Sequence, residues 1–350
     1  MSIAATPTHS AWELALATTT VRQFVRALGV AAVLVLAGCG LYLLESHLLK
    51  LDNQFIENPA DVMMRAIGLP HFLIGLLFML TSSRIRSRAG LLRVLAAGLA
   101  AIACCWLFAY LGGRQHPLLV MLFYGAFLVH EIRDEANIYR SYGDAPPGDA
   151  EPPGLFAALT RTAMLLFMTV LAGMSVLRIE LTQKRTVLDR GPEWLGPLVA
   201  GLVLGLTVVS ALRLHWLTRR GGTSVRAVLR LHLPLVLVYL TMLLVLVVGS
   251  FMGTTGLNLI ILVHVSAWLV YVYHLLSTRR VAVTGLWSWL RGSPTGFLVL
   301  HLGLLAIVLA LMAVRVHVWQ RVGFLSDVLA SKNFIYWAMF HIVISFGNGK

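Results

Sequence analysis

A chain of 350 residues that is 58% hydrophobic and only 12% charged lacks the polar surface of a water-soluble domain, in which about a quarter of the residues are charged. Its net charge of +13 would point to nucleic acid in a soluble protein. Here the arginines stand in short runs beside apolar segments, as at Arg84, Arg86, Arg88 and Arg93, which is the pattern of bilayer orientation and attraction to anionic headgroups. No nucleic-acid partner is therefore expected, and membrane lipids are the expected surroundings.

Apolar runs near the length that crosses a ~30 Å hydrocarbon core recur along the whole chain. They predict an all-α polytopic transmembrane helix bundle of nine to ten spans with no soluble domain. Residues 1–24 form a tail, and spans 25–44, 63–82, 91–111 and 118–138 fill the region 25–142. A Pro/Gly-rich loop at 143–154 follows, holding Pro146, Pro147, Pro152 and Pro153. Spans 155–178, 195–216, 231–252, 257–277, 296–317 and 326–346 fill 155–350. The last is the weakest, because its strongly apolar part runs only from Phe334 to Phe346.

Near the N-terminus, Leu36-Ala37-Gly38-Cys39 resembles the cleavage box of a bacterial lipoprotein signal, whose cysteine is lipidated. The apolar run continues past Cys39 to Leu44, so an uncleaved first span is the expectation. Cys39, Cys104 and Cys105 all lie in apolar segments and form neither a metal spacing nor a disulfide framework.

With ten spans and a cytoplasmic N-terminus, most of the 28 Lys and Arg residues fall on the cytoplasmic side, which places both termini inside. Arginine outnumbers lysine 24 to 4, a sign of a GC-rich genome, and a bacterial inner membrane is the expected location.

The sequence carries no Gly-Lys-Ser/Thr phosphate loop, no Gly-x-Ser-x-Gly elbow, no His-Glu-x-x-His and no triple histidine boxes. Chemistry must then reside in isolated polar residues within apolar helices, where they are costly. Span four holds the densest set, His130-Glu131-Ile132-Arg133-Asp134-Glu135. If that helix continues, His130 and Asp134 share a face, as do Glu131 and Glu135. Glu131 is the candidate catalytic base or ligand. Asp134, Glu135 and Arg161 are candidates for an ion pair or proton path. The alternative is a salt-bridged helix exit partnered by Arg133, Arg140 and Arg161.

His71, His130, His264 and His341 lie in spans two, four, eight and ten, which run in the same direction in this topology. Their depths are similar at about 1.5 Å per residue, so the four imidazoles can converge on one metal. Pro70 just before His71 is expected to kink span two. A second set, His215, His232, His274 and His301, lies nearer the cytoplasmic edge and admits two b-type haems with paired axial imidazoles. Tryptophans near span ends, Trp337 among them, are expected as interface anchors, and the stretch around Trp287 and Trp289 as a short amphipathic helix.

These residues support a membrane metalloprotein holding a transition metal, iron first, and acting as an oxidoreductase on an apolar substrate from the lipid phase. A haem b electron carrier is an alternative. So are a proton- or ion-coupled transporter and a membrane-complex subunit. Whether the chain is an enzyme is left open.

Overall fold

The computed structural model describes residues 19–44, 59–82, 85, 87–112, 117–141, 154–176, 194–250, 259–278, 285–317, 329–330 and 333–347. Among them are twelve α-helices and no strand. They are α1 (Thr19–Leu43), α2 (Pro59–Leu80), α3 (Arg88–Tyr110), α4 (Pro117–Ser141), α5 (Leu155–Val176), α6 (Leu195–Arg220), α7 (Val225–Leu231), α8 (Leu233–Ser250), α9 (Ile260–Thr278), α10 (Leu286–Gly292), α11 (Pro294–His317) and α12 (Phe334–Gly347). Each predicted span overlaps one of these helices. Residues 1–18 of the tail and nearly all of the 143–154 loop lie outside the described residues.

Six helices, α2, α3, α5, α6, α9 and α11, are long and apolar enough to cross a membrane, and α7 with α8 makes a seventh if the bent pair is one span. α4 exceeds the length but is charged along its second half. α1 and α12 have shorter apolar stretches, Val25–Leu41 and Phe334–Phe346. The α7–α8 pair is bent by 91° at His232, at the start of the predicted span 231–252, which α8 matches. Pro234 explains where the break falls. It lacks an N–H and is tolerated only in the first turn of a helix, so α8 must start just before it.

The outward faces of α3 and α6 expose Leu92, Leu95, Leu99, Leu202, Val209 and Leu212, each more than half accessible. Contiguous apolar surface on that scale is not tolerated in water, and it matches a hydrocarbon solvent. Inside the bundle, α5 and α6 are joined by hydroxyl pairs, Thr162 with Ser210 at 2.9 Å and Thr169 with Thr207 at 2.7 Å. Such pairs supply the directional attraction that lipid-immersed helices otherwise lack. α1 runs unbroken through Cys39 and packs on α9, while Cys104 and Cys105 are free thiols on α3.

Four helices form a closed ring. α2 packs on α9 and α12, and α4 packs on the same two neighbours. α2 and α12 are parallel, because Gly68 meets Phe334 and Gly75 meets His341, both partners advancing together. α4 and α12 are parallel too, with His130 beside His341 and Arg133 beside Phe346. α2 passes through Pro70 as a single helix.

The short helix around Trp287 and Trp289 is present as α10, with Leu286 and Trp287 exposed. It is fastened to α11 by Ser293, which donates to the Trp289 carbonyl at 2.9 Å and accepts from the Gly296 N–H at 2.9 Å. A Cβ at Gly296 would overlap the Trp289 carbonyl oxygen, a backbone atom that cannot swing aside. Gly296→Ala should therefore prise α10 from α11 and cost about 1–3 kcal/mol. The check is a lowered thermal unfolding midpoint, with Gly303→Ala, where a Cβ meets open space, as the unaffected control.

Candidate metal centre

The ring of helices places one histidine from each member in a single layer. His71 on α2 lies 5.2 Å from His264 on α9 and 5.2 Å from His341 on α12, measured between ring centroids. His130 on α4 lies 5.8 Å from His264 and 5.2 Å from His341. The four imidazoles thus form a closed square of contacts. His71, His130 and His264 are each only 3% exposed.

This spacing has a chemical meaning. A nitrogen bound at about 2.0–2.1 Å puts its ring centroid roughly 3.2 Å from a metal, so four tetrahedrally arranged imidazoles have centroids about 5.2 Å apart. Four of the six centroid pairs, at 5.2–5.8 Å, stand near that spacing. Both ring nitrogens of His71 are buried without a hydrogen-bond partner among the described residues. An imidazole in that condition has lost its water and gained nothing in return, which is costly unless a ligand or ion takes it up.

The α4 carboxylates surround the ring. α4 continues as a helix to Ser141, so His130 and Asp134 do share a face, with 3.8 Å between His130 Nε2 and Asp134 Oδ2. One ligand atom each from His130, Asp134 and His264 lie within 4.8 Å of one another, the tightest donor set in the layer. On the adjoining face Glu135 is fully buried, and its Oε1 lies 3.1 Å from His264 Nδ1. With the N–H on Nδ1 donating to the carboxylate, Nε2 of His264 is left as the ligating atom. This is the carboxylate–histidine arrangement that commonly stands behind metal ligands. Glu131 is 1% exposed, and neither of its oxygens has a hydrogen-bond partner among the described residues. A carboxylate there needs a cation or a proton.

The arginines expected to neutralise these acids do something else. Arg133 lies over the Phe346 ring at 5.1 Å and Arg140 over Phe156 at 3.9 Å. Arg161 is exposed on α5, while Glu135 engages His264. Tyr239 on α8 donates its hydroxyl to the Ile132 carbonyl at 3.1 Å, which fixes α4 against α8 at the level of the acids.

The second histidine set does not converge in the same way. His232 stands at the α7–α8 bend with Nδ1 3.2 Å from the Tyr139 hydroxyl, and His215 is exposed on α6. His301 on α11 donates from Nδ1 to the Phe297 carbonyl at 3.0 Å and packs on Trp268.

Three features of the site were not anticipated from sequence. Trp268 stands edge-on to His71 at 4.6 Å and forms a wall behind it. Phe72 stacks on His341 at 4.8 Å. Gly75 leaves the space that the His341 ring fills, since a Cβ there would lie 3.4 Å from His341 Cε1. Trp337, expected as an interface anchor, lines a cavity of about 350 Å³ that reaches His71, His341 and Asp134. In sequence an aromatic or glycine within an apolar run looks like ordinary helix packing, and no local signal separates these four from their neighbours. The chain matches no family model, no curated protein and no solved structure.

Proposed function

We propose that the chain is an integral membrane metalloprotein of nine or ten spans that holds one transition metal ion, iron first, between His71, His130, His264 and His341. The observation that carries this reading is the closed ring of four imidazoles from four separate helices, with centroids 5.2–5.8 Å apart. Four isolated helix-to-helix hydrogen bonders have no reason to meet in one layer at coordination spacing. Imidazole suits iron, copper and zinc alike, and nearby carboxylates favour the harder of these. In the same reading Glu135 orients His264, Asp134 stands at the edge as an additional donor, and Glu131 handles a proton beside the centre.

Such a centre within a bundle that has apolar outer faces fits oxidation or reduction of an apolar substrate drawn from the lipid phase, where the metal supplies the redox chemistry. The chain's own contribution is to hold the ligands, exclude water and keep carboxylates within reach. Paired axial ligation of haem b is less well served. A porphyrin needs a flat slot about 10 Å wide between its two imidazoles, and these four rings pack directly against one another. A bacterial inner membrane with both termini cytoplasmic remains the proposed setting, supported by the distribution of arginine.

The direct test is elemental analysis of the purified protein together with its absorption spectrum. About one equivalent of iron, copper or zinc, without a Soret band and with nitrogen scatterers near 2.0–2.1 Å in X-ray absorption, is the expected result. Metal-free protein that takes up none of these ions overturns the proposal.

A further inference from the structure

The cavity beside the histidine ring has a shape and a polarity at each end. Its inner end is formed by His71, His341 and Asp134, and its outer end by Ser82 just past the last turn of α2. From His71 to Ser82 is eleven residues, about 16 Å at the helical rise. A volume of about 350 Å³ spread over that length leaves a mean cross-section of about 20 Å², the width of one extended hydrocarbon chain. Its walls are mostly apolar, with Phe72, Phe78, Trp268, Trp337 and Phe340 among them and Ser345 as a polar member, which suits an occupant that is apolar along most of its length.

A positive charge stands beside the outer end. Arg291 on α10 donates to the Thr81 carbonyl at 2.7 Å, and its guanidinium lies 5.6 Å from the centroid of Phe78, one of the slot's own walls. Ser82, next to Thr81, lines the slot. Both contacts to Thr81, with its carbonyl and at 3.4 Å with its hydroxyl, come from the one nitrogen Nη1, which keeps other N–H donors available for an oxyanion. The chain spends a dedicated short helix, α10, on placing that group at the end of α2.

We propose that this slot binds an amphiphile with one apolar chain and an anionic head. The head, a carboxylate or a phosphate monoester, sits at Arg291, and the chain runs along α2 to the histidine ring. The carbon presented to the ring is about twelve positions from the head, given the slot length and the advance of an extended chain per carbon. The assignment deepens the metal-site reading, on which only the chemistry at the inner end rests. Binding itself rests on the cavity and Arg291.

The test uses purified full-length protein and brominated stearates, whose bromines quench nearby tryptophan fluorescence. In a Trp287→Phe, Trp289→Phe background, which removes the two tryptophans that share α10 with Arg291, stearate carrying bromine at carbons 11 and 12 should quench saturably, and stearate carrying it at carbons 4 and 5 much less. The difference should shrink in Trp268→Phe and Trp337→Phe. Laurate and dodecyl phosphate should displace the probe, with their order showing which head is preferred, and dodecanol should do so at least about tenfold more weakly. Arg291→Ala should erase the preference for charge while leaving the quenching depth unchanged. Leu76→Phe, which narrows the slot, should abolish saturable quenching.

Equal competition by dodecanol overturns the anionic head. Equal quenching by the two stearates, or none that saturates, overturns the slot. Metal content measured on the same samples separates the two proposals. Metal without lipid binding sinks the slot alone, and lipid binding without metal sinks the metal centre alone.

Discussion

Alanine at His130 or His264 empties the metal site: the purified variants carry less than about a tenth of an equivalent under conditions in which the parent carries one. These two positions give the sharpest prediction because they belong to both donor sets the geometry allows. One is the four-imidazole ring and the other is the His130, Asp134 and His264 set. The remaining positions decide between the two. If the ring is the true centre, His71→Ala and His341→Ala lose metal as well, and Asp134→Asn keeps most of it. If the mixed set is the centre, the outcome reverses, and the open positions would face the slot that His71 and His341 line.

Controls are at hand in the same bundle. His232 and His301 are equally buried imidazoles, but each is engaged by a local partner, Tyr139 and the Phe297 carbonyl respectively. Their alanine variants should retain the parental metal content. Helical circular dichroism and a monodisperse elution profile identify any variant that has merely misfolded. Full metal retention by His130→Ala or His264→Ala, in folded protein, would falsify the centre.

The four histidines were legible before the structure for a definite reason. In a bilayer the position of a residue along its span is also its depth, and helices of the same direction can be compared by counting. His71, His130, His264 and His341 fall at similar depth on that count, and the structure sets their rings side by side. What counting cannot supply is azimuth. Which helices flank α4, and therefore that His264 faces Glu135, depends on packing among helices far apart in sequence. Arg133 and Arg140, named in the alternative of a salt-bridged helix exit, stand over aromatic rings that only the tertiary arrangement brings near.

The helices themselves were the easier part, since each apolar run predicts its own. Even so, the short helix α7, which meets α8 at the His232 bend where the predicted span 231–252 begins, was not predicted. The wall residues Phe72, Trp268 and Trp337 were hidden by their setting. In an apolar run, an aromatic that lines a cavity and one that fills the core obey the same hydrophobic pattern.

Glu135→Gln tests whether the buried acid behind His264 acts through the metal. Gln has nearly the same shape and keeps a hydrogen-bonding group opposite His264 Nδ1, so packing of the fully buried side chain is preserved. What it removes is the negative charge that fixes the Nδ1–H tautomer and raises the basicity of Nε2. Losing an outer partner of that kind weakens metal affinity by about 10–100-fold. We therefore expect competitive chelator titration to give a dissociation constant raised by that factor, with stoichiometry still near one. Glu135→Asp keeps the charge on a shorter arm and should recover part of the loss. A purely structural role predicts something different. The Gln variant would then lower thermal stability equally in the metal-loaded and chelated protein, and the ratio of their affinities would not move. Glu131→Gln is the counterpart on the same face of α4. Its carboxylate has no hydrogen-bond partner among the described residues, so its removal should leave affinity within about threefold of the parent if it only handles a proton. A loss as large as that of Glu135→Gln would instead place Glu131 among the ligands.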